Sequence, residues 1–224
     1  MTTFANSPKL IKGGIVLVDP QTLVPIQNGS VPGGIIALQY NPDSISRTLQ
    51  ASSVGGDGQD RSEAMRLKGP PVETIKLEAE IDATDQLDKN NNIAAQHGIQ
   101  PQLAVLEMLV YPSSRQIEET RRIAATGTLE ILPMEAPLAL FIWSKSRIIP
   151  VRVTEFSITE EAFDPALNPI RAKISLGMRV LNINDLGFNH RGSGLYMTYQ
   201  QQKERLAGLN PGGALSRLGI GGIS

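Results

Sequence analysis

Few side chains in this chain of 224 residues have the type and spacing that chemistry requires. It has two histidines, His97 and His190, and no cysteine. A zinc site would need both histidines plus carboxylates, and neither stands in an HExxH or similar spacing. Both read as surface loop histidines. Asp88, Asn90 and Asn92 fall at alternate positions, as in a calcium loop. That loop needs glycine at its sixth position and glutamate at its last, and here these are Ile93 and Ile99. Gly55-Gly56-Asp57-Gly58 and Gly212-Gly213 are not followed by GK[ST], so they read as flexible loop rather than phosphate cradles. Glu160, Glu161 and Asp164 could in principle do acid–base work in a hydrolase or carbohydrate-binding module. The opposing reading is a solvated corner or an inter-subunit salt bridge. Arg115, Arg121 and Arg122, in SSRQIEETRR, read either as a solvated helix face or as contacts to a partner. No catalytic, cofactor-binding or metal-ligating residue is assigned, and the expectation is a protein that is not an enzyme.

The totals narrow the partners. Lys plus Arg is 21 and Asp plus Glu is 22, a net charge of -1. Such a chain has no global attraction for nucleic acid or an anionic membrane. The absence of cysteine removes disulfides and thiolate sites and suits a reducing compartment. The opening MTTFANSPKLIKGG has no apolar core of signal-peptide length, and no apolar run reaches the roughly 20 residues of a membrane span. The expectation is a soluble protein made in the cytoplasm without a signal peptide.

The elements follow from periodicity. Gly13–Val18 and Ile35–Tyr40 read as buried strands, stopped by Asp19-Pro20 and Asn41-Pro42. Over Val72–Asp82, Ile75, Leu77, Ala79 and Ile81 alternate with Thr74, Lys76, Glu78, Glu80 and Asp82, the pattern of a half-buried strand. Asp82–Asn92 reads as a polar loop. Leu103, Leu106, Leu109 and Val110 recur at helical spacing, which predicts a helix from Pro101 to Tyr111. Thr128–Leu132, Leu138–Trp143 and Ile148–Thr159 are further strand candidates, punctuated by Pro133, Pro137 and Pro150. In FDPALNPIR, Asp164-Pro165 and Asn168-Pro169 predict a firmly set corner. The corner launches the clearest strand, in which Ile170, Ala172, Ile174, Leu176, Met178 and Val180 alternate with Arg171, Lys173, Ser175, Gly177 and Arg179. Gly194–Gly208 can form an amphipathic helix, with Leu195, Tyr199, Gln202 and Leu206 near one face. The Gly-rich tail after it carries Leu215, Leu218, Ile220 and Ile223, apolar residues that suit docking on a partner. The fold class is α+β, mainly β: an antiparallel β-sandwich or barrel over residues 1–190 with one central helix, and a C-terminal helix and tail over 191–224.

LQYNPDSISR (Leu38–Arg47) and VTEFSITEEAFDPALNPIRAKISLGMRVL (Val153–Leu181) resemble the N-terminal domain of contractile injection system tube proteins. In phage-tail-like particles this is the baseplate component that joins the spike hub to the inner tube. The resemblance spans Leu38 to Leu186. It implies a tail-tube-like fold and a sixfold ring that continues the inner tube. It also implies no catalysis. The implied partners are other copies of the chain, the spike hub protein, inner tube proteins and baseplate wedge or sheath components, with no nucleic acid and no direct membrane insertion. The positions within the two motifs taken as structural or interface residues are Asn41, Pro42, Arg47, Asp164, Pro165, Asn168, Pro169, Arg171 and Arg179. Many relatives carry a C-terminal LysM-type module; this chain has a helix and a Gly-rich tail there, and no peptidoglycan binding is expected. A tail or baseplate protein of an intact contractile-tailed phage is the alternative within the same fold.

Overall fold

The computed structural model describes residues 11–26, 34–52, 66–125, 137–210 and 215–219. In chain order these form strands β1 (Gly14–Val18), β2 (Ile35–Ala37), β3 (Ile45–Gln50) and β4 (Val72–Asp82). Helices α1 (Thr84–Asp88), α2 (Asn92–His97), α3 (Gln100–Glu107) and α4 (Ser114–Ala125) follow. Then come β5 (Leu138–Ser144), β6 (Arg147–Phe163) and β7 (Pro169–Val180), and after them α5 (Ile183–Leu186) and α6 (Arg191–Gly208). A short 3-10 turn covers Leu215–Leu218 within the expected tail. All seven strands form one antiparallel sheet in the order β2-β1-β5-β6-β7-β4-β3. The architecture is α+β and mainly β.

The alternation expected on β4 and β7 sets the register between them. Ile75 lies opposite Met178 and Leu77 opposite Leu176, so the apolar members of both strands share one face. Ile75, Leu77, Leu176 and Met178 are all buried, together with Phe141 of β5 and Ile149 of β6. Tyr196 and Tyr199 of α6 pack on this cluster. Further along the same face, Leu103 and Leu106 of α3 cover Ala172 and Ile174. A smaller cluster of Val18, Leu138 and Leu140 lies at the alternate positions of β1 and β5, packed with Leu186 and Leu195.

Several expectations shift. The polar segment after Asp82 is helical. Asp82 Oδ1 accepts the Thr84 backbone N–H at 2.7 Å at the start of α1. Asn91 Oδ1 accepts from Ile93 and Ala94 N–H at 2.9 and 3.2 Å and caps α2. Among the described residues the one central helix is therefore four helices. The helix expected through Tyr111 leaves α geometry at Glu107, where the backbone bonds shorten to three-residue steps at Leu109 and Val110. The apolar run from Ile35 is a strand only to Ala37. β3 is a strand that the alternation did not mark. β6 runs on to Phe163, so Glu160 and Glu161 belong to a strand and the corner is a hairpin turn. Pro150 lies inside β6, where a proline was read as punctuation. It is tolerated because its missing N–H faces the position of Leu181, one residue beyond β7; its carbonyl accepts the Leu181 N–H at 2.9 Å. The Thr128–Leu132 strand candidate and the glycines at 55–58 and 212–213 lie outside the described residues.

Leu176 is 3% exposed at the centre of the main cluster. Leu176→Ala is expected to cost about 2–5 kcal/mol in denaturant unfolding. A loss under about half a kcal/mol, a surface-like value, would mean the buried face is assigned wrongly.

Candidate assembly surface

The hairpin between β6 and β7 ends in a tightly tied turn. Asp164 Oδ1 accepts the backbone N–H groups of Ala166 and Asn168, each at 2.8 Å. Its Oδ2 accepts from Asn168 Nδ2 at 2.8 Å. The backbone closes the turn as well, with Asp164 N–H to Asn168 O at 3.0 Å and Leu167 N–H to Asp164 O at 2.9 Å. Within this clasp Ala162 and Leu167 take φ of 54° and 66°, left-handed values that cost a non-glycine residue roughly 1–2 kcal/mol each. Pro165 is exposed, whereas Pro169 is buried. The Pro169 carbonyl accepts the Ile99 N–H at 2.9 Å, and a Cβ on Gly98 would come within 2.1 Å of that oxygen. Glycine at position 98, with φ of 58°, lets α2 and α3 dock on the root of the hairpin.

Outward from this turn, the solvent face of β4, β7 and β6 is a ladder of opposite charges. Arg171 Nη2 lies 2.7 Å from Asp82 and its Nε 3.3 Å from Glu80. Lys173 pairs with Glu161 at 3.0 Å. Lys76 and Glu155 both register with Gly177 from either side and meet across it at 2.8 Å. Gly177 keeps that gap open, since a Cβ there would lie 3.0 Å from the Glu155 Cβ. A bulge between Val153 and Glu155 brings β6 into this register. Each pair is exposed and contributes little alone, but together they match β6, β7 and β4 by sign. Arg179 turns to Asp185 of α5 at 2.7 Å, while Asp185 also accepts the Asn182 N–H in a capping box. Arg152 lies directly opposite Arg179.

A third arrangement escaped the sequence reading. Glu73 of β4 is 2% exposed, on the apolar face in phase with Ile75. Arg47 of β3 reaches it with Nε at 2.8 Å and Nη2 at 2.6 Å. The Tyr199 hydroxyl donates to the same oxygen at 3.1 Å and accepts from Arg47 Nη2 at 3.0 Å. Lys203 Nζ lies 3.6 Å from the other oxygen and 4.2 Å over the Tyr199 ring. Burial, and then the Glu73 charge, push the Tyr199 phenol above its ordinary pKa. The cluster ties α6 to β3 and β4. Its sequence signal was the spacing of Glu73 with Ile75 and Leu77, and of Tyr199 with Lys203 on one helix face.

The expected site residues therefore serve separate positions. Asn41 Oδ1 accepts the Gly13 N–H at 2.9 Å and its Nδ2 donates to the Ile11 carbonyl at 2.9 Å, tying the first motif to the entry of β1. Pro42 is half-buried beside it. Arg47 is in the buried cluster, Asp164 to Pro169 form the hairpin turn, Arg171 belongs to the charged face and Arg179 to the α5 junction. The three acidic residues do not converge. Glu161 is paired, Asp164 is taken up by the turn, and Glu160 is a neighbour of Glu161 on the opposite face of β6. The histidines are at helix ends rather than in loops: His97 ends α2, and His190 Nδ1 accepts the Gly192 N–H at 3.0 Å and caps α6. Among the described residues no group of three or more His, Cys, Asp or Glu could hold a metal, and no helix is long and apolar enough to cross a membrane. Arg115, Arg121 and Arg122 project from α4, which buries no side chain.

Two tests follow. Glu73→Gln and Tyr199→Phe are expected to be non-additive by more than about 0.5 kcal/mol in a double-mutant cycle, since both act on one carboxylate; additive losses would dissolve the cluster. The Asn168 side chain and then backbone N–H groups hold the Asp164 carboxyl below its ordinary pKa. Its contribution is present above the unfolded value of about 3.9 and is lost as the pH falls through the folded value. Acidification from about pH 5 to about pH 2 should lower the hydrogen-exchange protection factors of the Ala166 and Asn168 amides, taken against the intrinsic rate at each pH, and Asp164→Asn should flatten that dependence.

No family model and no curated protein matches this chain. Among solved structures, it is similar to a chain described as the tail of an empty gene transfer agent (GTA) particle in C6 symmetry, at 13% identity, covering 66% of this chain and 83% of that one with a TM-score of 0.26. It is likewise similar to a chain of the virion of a native gene transfer agent particle, at 13% identity, covering 70% and 95% with a TM-score of 0.26.

Proposed function

We propose that this chain is a structural component of a phage-tail-like particle, a ring-forming adaptor that joins a spike hub to the inner tube of a contractile injection system. The observation that carries this reading is the free length of β6. β5 pairs with β6 only as far as Val151, while β7 accompanies it to Phe163. From Arg152 onward, β6 has one edge that no strand among the described residues covers. β3 offers a second such edge, since it pairs with β4 alone. Long free edges invite strand addition, and a heterologous edge-to-edge contact closes into a ring when the rotation fits. The charged face then stays in water while the apolar face remains inside each subunit. This reading assigns no catalytic step, and it leaves an intact phage as the alternative particle; a capsid and terminase among neighbouring genes would favour the phage.

The free edge can be blocked selectively. Successive N–H groups along a strand point to opposite edges. Of Thr159→Pro and Glu160→Pro, one removes an N–H that bonds to β7 and the other removes one that faces outward. The outward variant is expected to fold normally and to fail to form rings in electron micrographs of the purified chain. Normal rings from both variants would remove this edge from the assembly.

A further inference from the structure

Two features at opposite ends of the β6–β7 hairpin have no use among the described residues. The first is the turn. Phe163 is 51% and Leu167 78% exposed, and the Asp164 clasp holds both in one conformation. Large apolar side chains held in water on a rigid, left-handed turn have the character of an anchor. The stretch Glu160–Asn168 also carries Glu160, Glu161 and Asp164 and no Lys or Arg.

The second feature is a cavity of about 650 Å³ at the other end of the same two strands. Leu109, Leu138, Val153, Leu181 and Leu186 give it apolar walls. Among the described residues no carboxylate lines it, and Arg152 is its charged lining residue apart from His190. Arg152 faces Arg179 across the ladder, where like charges oppose one another; Asp185 satisfies Arg179, not Arg152. An acidic apolar knob and a cation-lined apolar hole thus terminate one axis.

We infer that the hairpin turn of one copy seats Phe163 and Leu167 in this cavity on a second copy, with Arg152 facing the acidic stretch of the incoming turn. A knob and a hole on different surfaces of one molecule make a heterologous contact, which repeats from copy to copy. From Arg152 to Phe163 the strand advances roughly 36 Å at about 3.3 Å per residue, so stacked copies should repeat at about that spacing plus the turn. The inference deepens the ring reading and rests on it for one point only: strand edges close a ring, and turns join one ring to the next.

The test uses two variants of the full chain. Phe163→Ser with Leu167→Ser removes the knob. Arg152→Glu with Tyr111→Asp spoils the hole, at whose lining both residues are exposed. Sedimentation velocity and electron microscopy read the assemblies, and circular dichroism checks the fold. Wild type is expected to stack. Each variant alone should lose stacking at least tenfold, leaving single rings. An equimolar mixture should form paired assemblies that stop at two, because only one intact knob faces one intact hole. Variants that stack like wild type, or a mixture that stays unpaired, would overturn the inference. So would a wild-type chain that never associates. Pairing that needs these residues without any ring would remove the ring reading and keep this contact; rings that stack regardless of them would do the reverse.

Discussion

The rest of the structure depends on β7 being hydrogen-bonded along both edges. Its pairs with β4 run from Arg171 to Arg179 and those with β6 from Pro169 to Val180. A strand enclosed in this way cannot adjust its register without dragging two neighbours. The side-chain period is two, so a slip of one residue would turn Ile174, Leu176 and Met178 to water and Lys173, Ser175 and Arg179 into the core. Burial of those three apolar residues therefore selects one alignment. The charge ladder follows from it: Arg171 can meet Asp82, and Lys173 can meet Glu161, only in that alignment. The weak exposed pairs select among alignments that hydrophobic burial has already narrowed.

The Glu73 cluster solves a different problem. β3 is an edge strand with little apolar side chain in the core; Leu49, on the same face as Arg47, is 53% exposed. Beside Ile45, which packs on the main cluster, it is tied to the interior by Arg47, whose guanidinium crosses to Glu73 beneath α6. Burying a carboxylate there adds less than a well-packed apolar pair would. It does require α6 to bring Tyr199 and Lys203 to one place, and a hydrogen-bonded charge accepts fewer arrangements than a leucine. The outcome is an edge strand and a terminal helix fixed to one another across a chain separation of more than a hundred residues.

How far the sequence spoke for the fold depended on burial. β4 and β7 were legible because one face of each is core, which imposes the period of two on their residues. β3 was not, because ISRTLQ buries no side chain fully and burial is what writes the pattern. The helices after β4 were missed for a related reason. α1 buries nothing and α2 only Ala94; they are specified by short polar contacts at Asp82 and Asn91, and the same residue types also make loops. The rigid turn at Asp164 was legible from its two Asx-Pro pairs, although Pro165 and Pro169 act differently: one is exposed, and the other presents its carbonyl to Ile99. The candidate structural or interface residues come from two motifs, but the fold distributes them over five places. Spacing along the chain reports neighbours within an element and not which elements meet.

The single chain leaves several of its own requirements open together. Among the described residues, no strand covers the β6 edge beyond Val151, the turn holds Phe163 and Leu167 in water, and Arg152 stands opposite another arginine. Each condition is unfavourable for an isolated molecule. Each also lies on the β6–β7 hairpin, the element whose register is most firmly fixed. Rigid elements are where a protein can hold unsatisfied groups without collapsing them onto itself, because a flexible turn would fold its apolar side chains back against the sheet. The Asp164 clasp stops that collapse at the turn, and the ladder to β7 stops it along the strand. The stiffness of the hairpin and its exposed apolar and polar groups are thus two sides of one design.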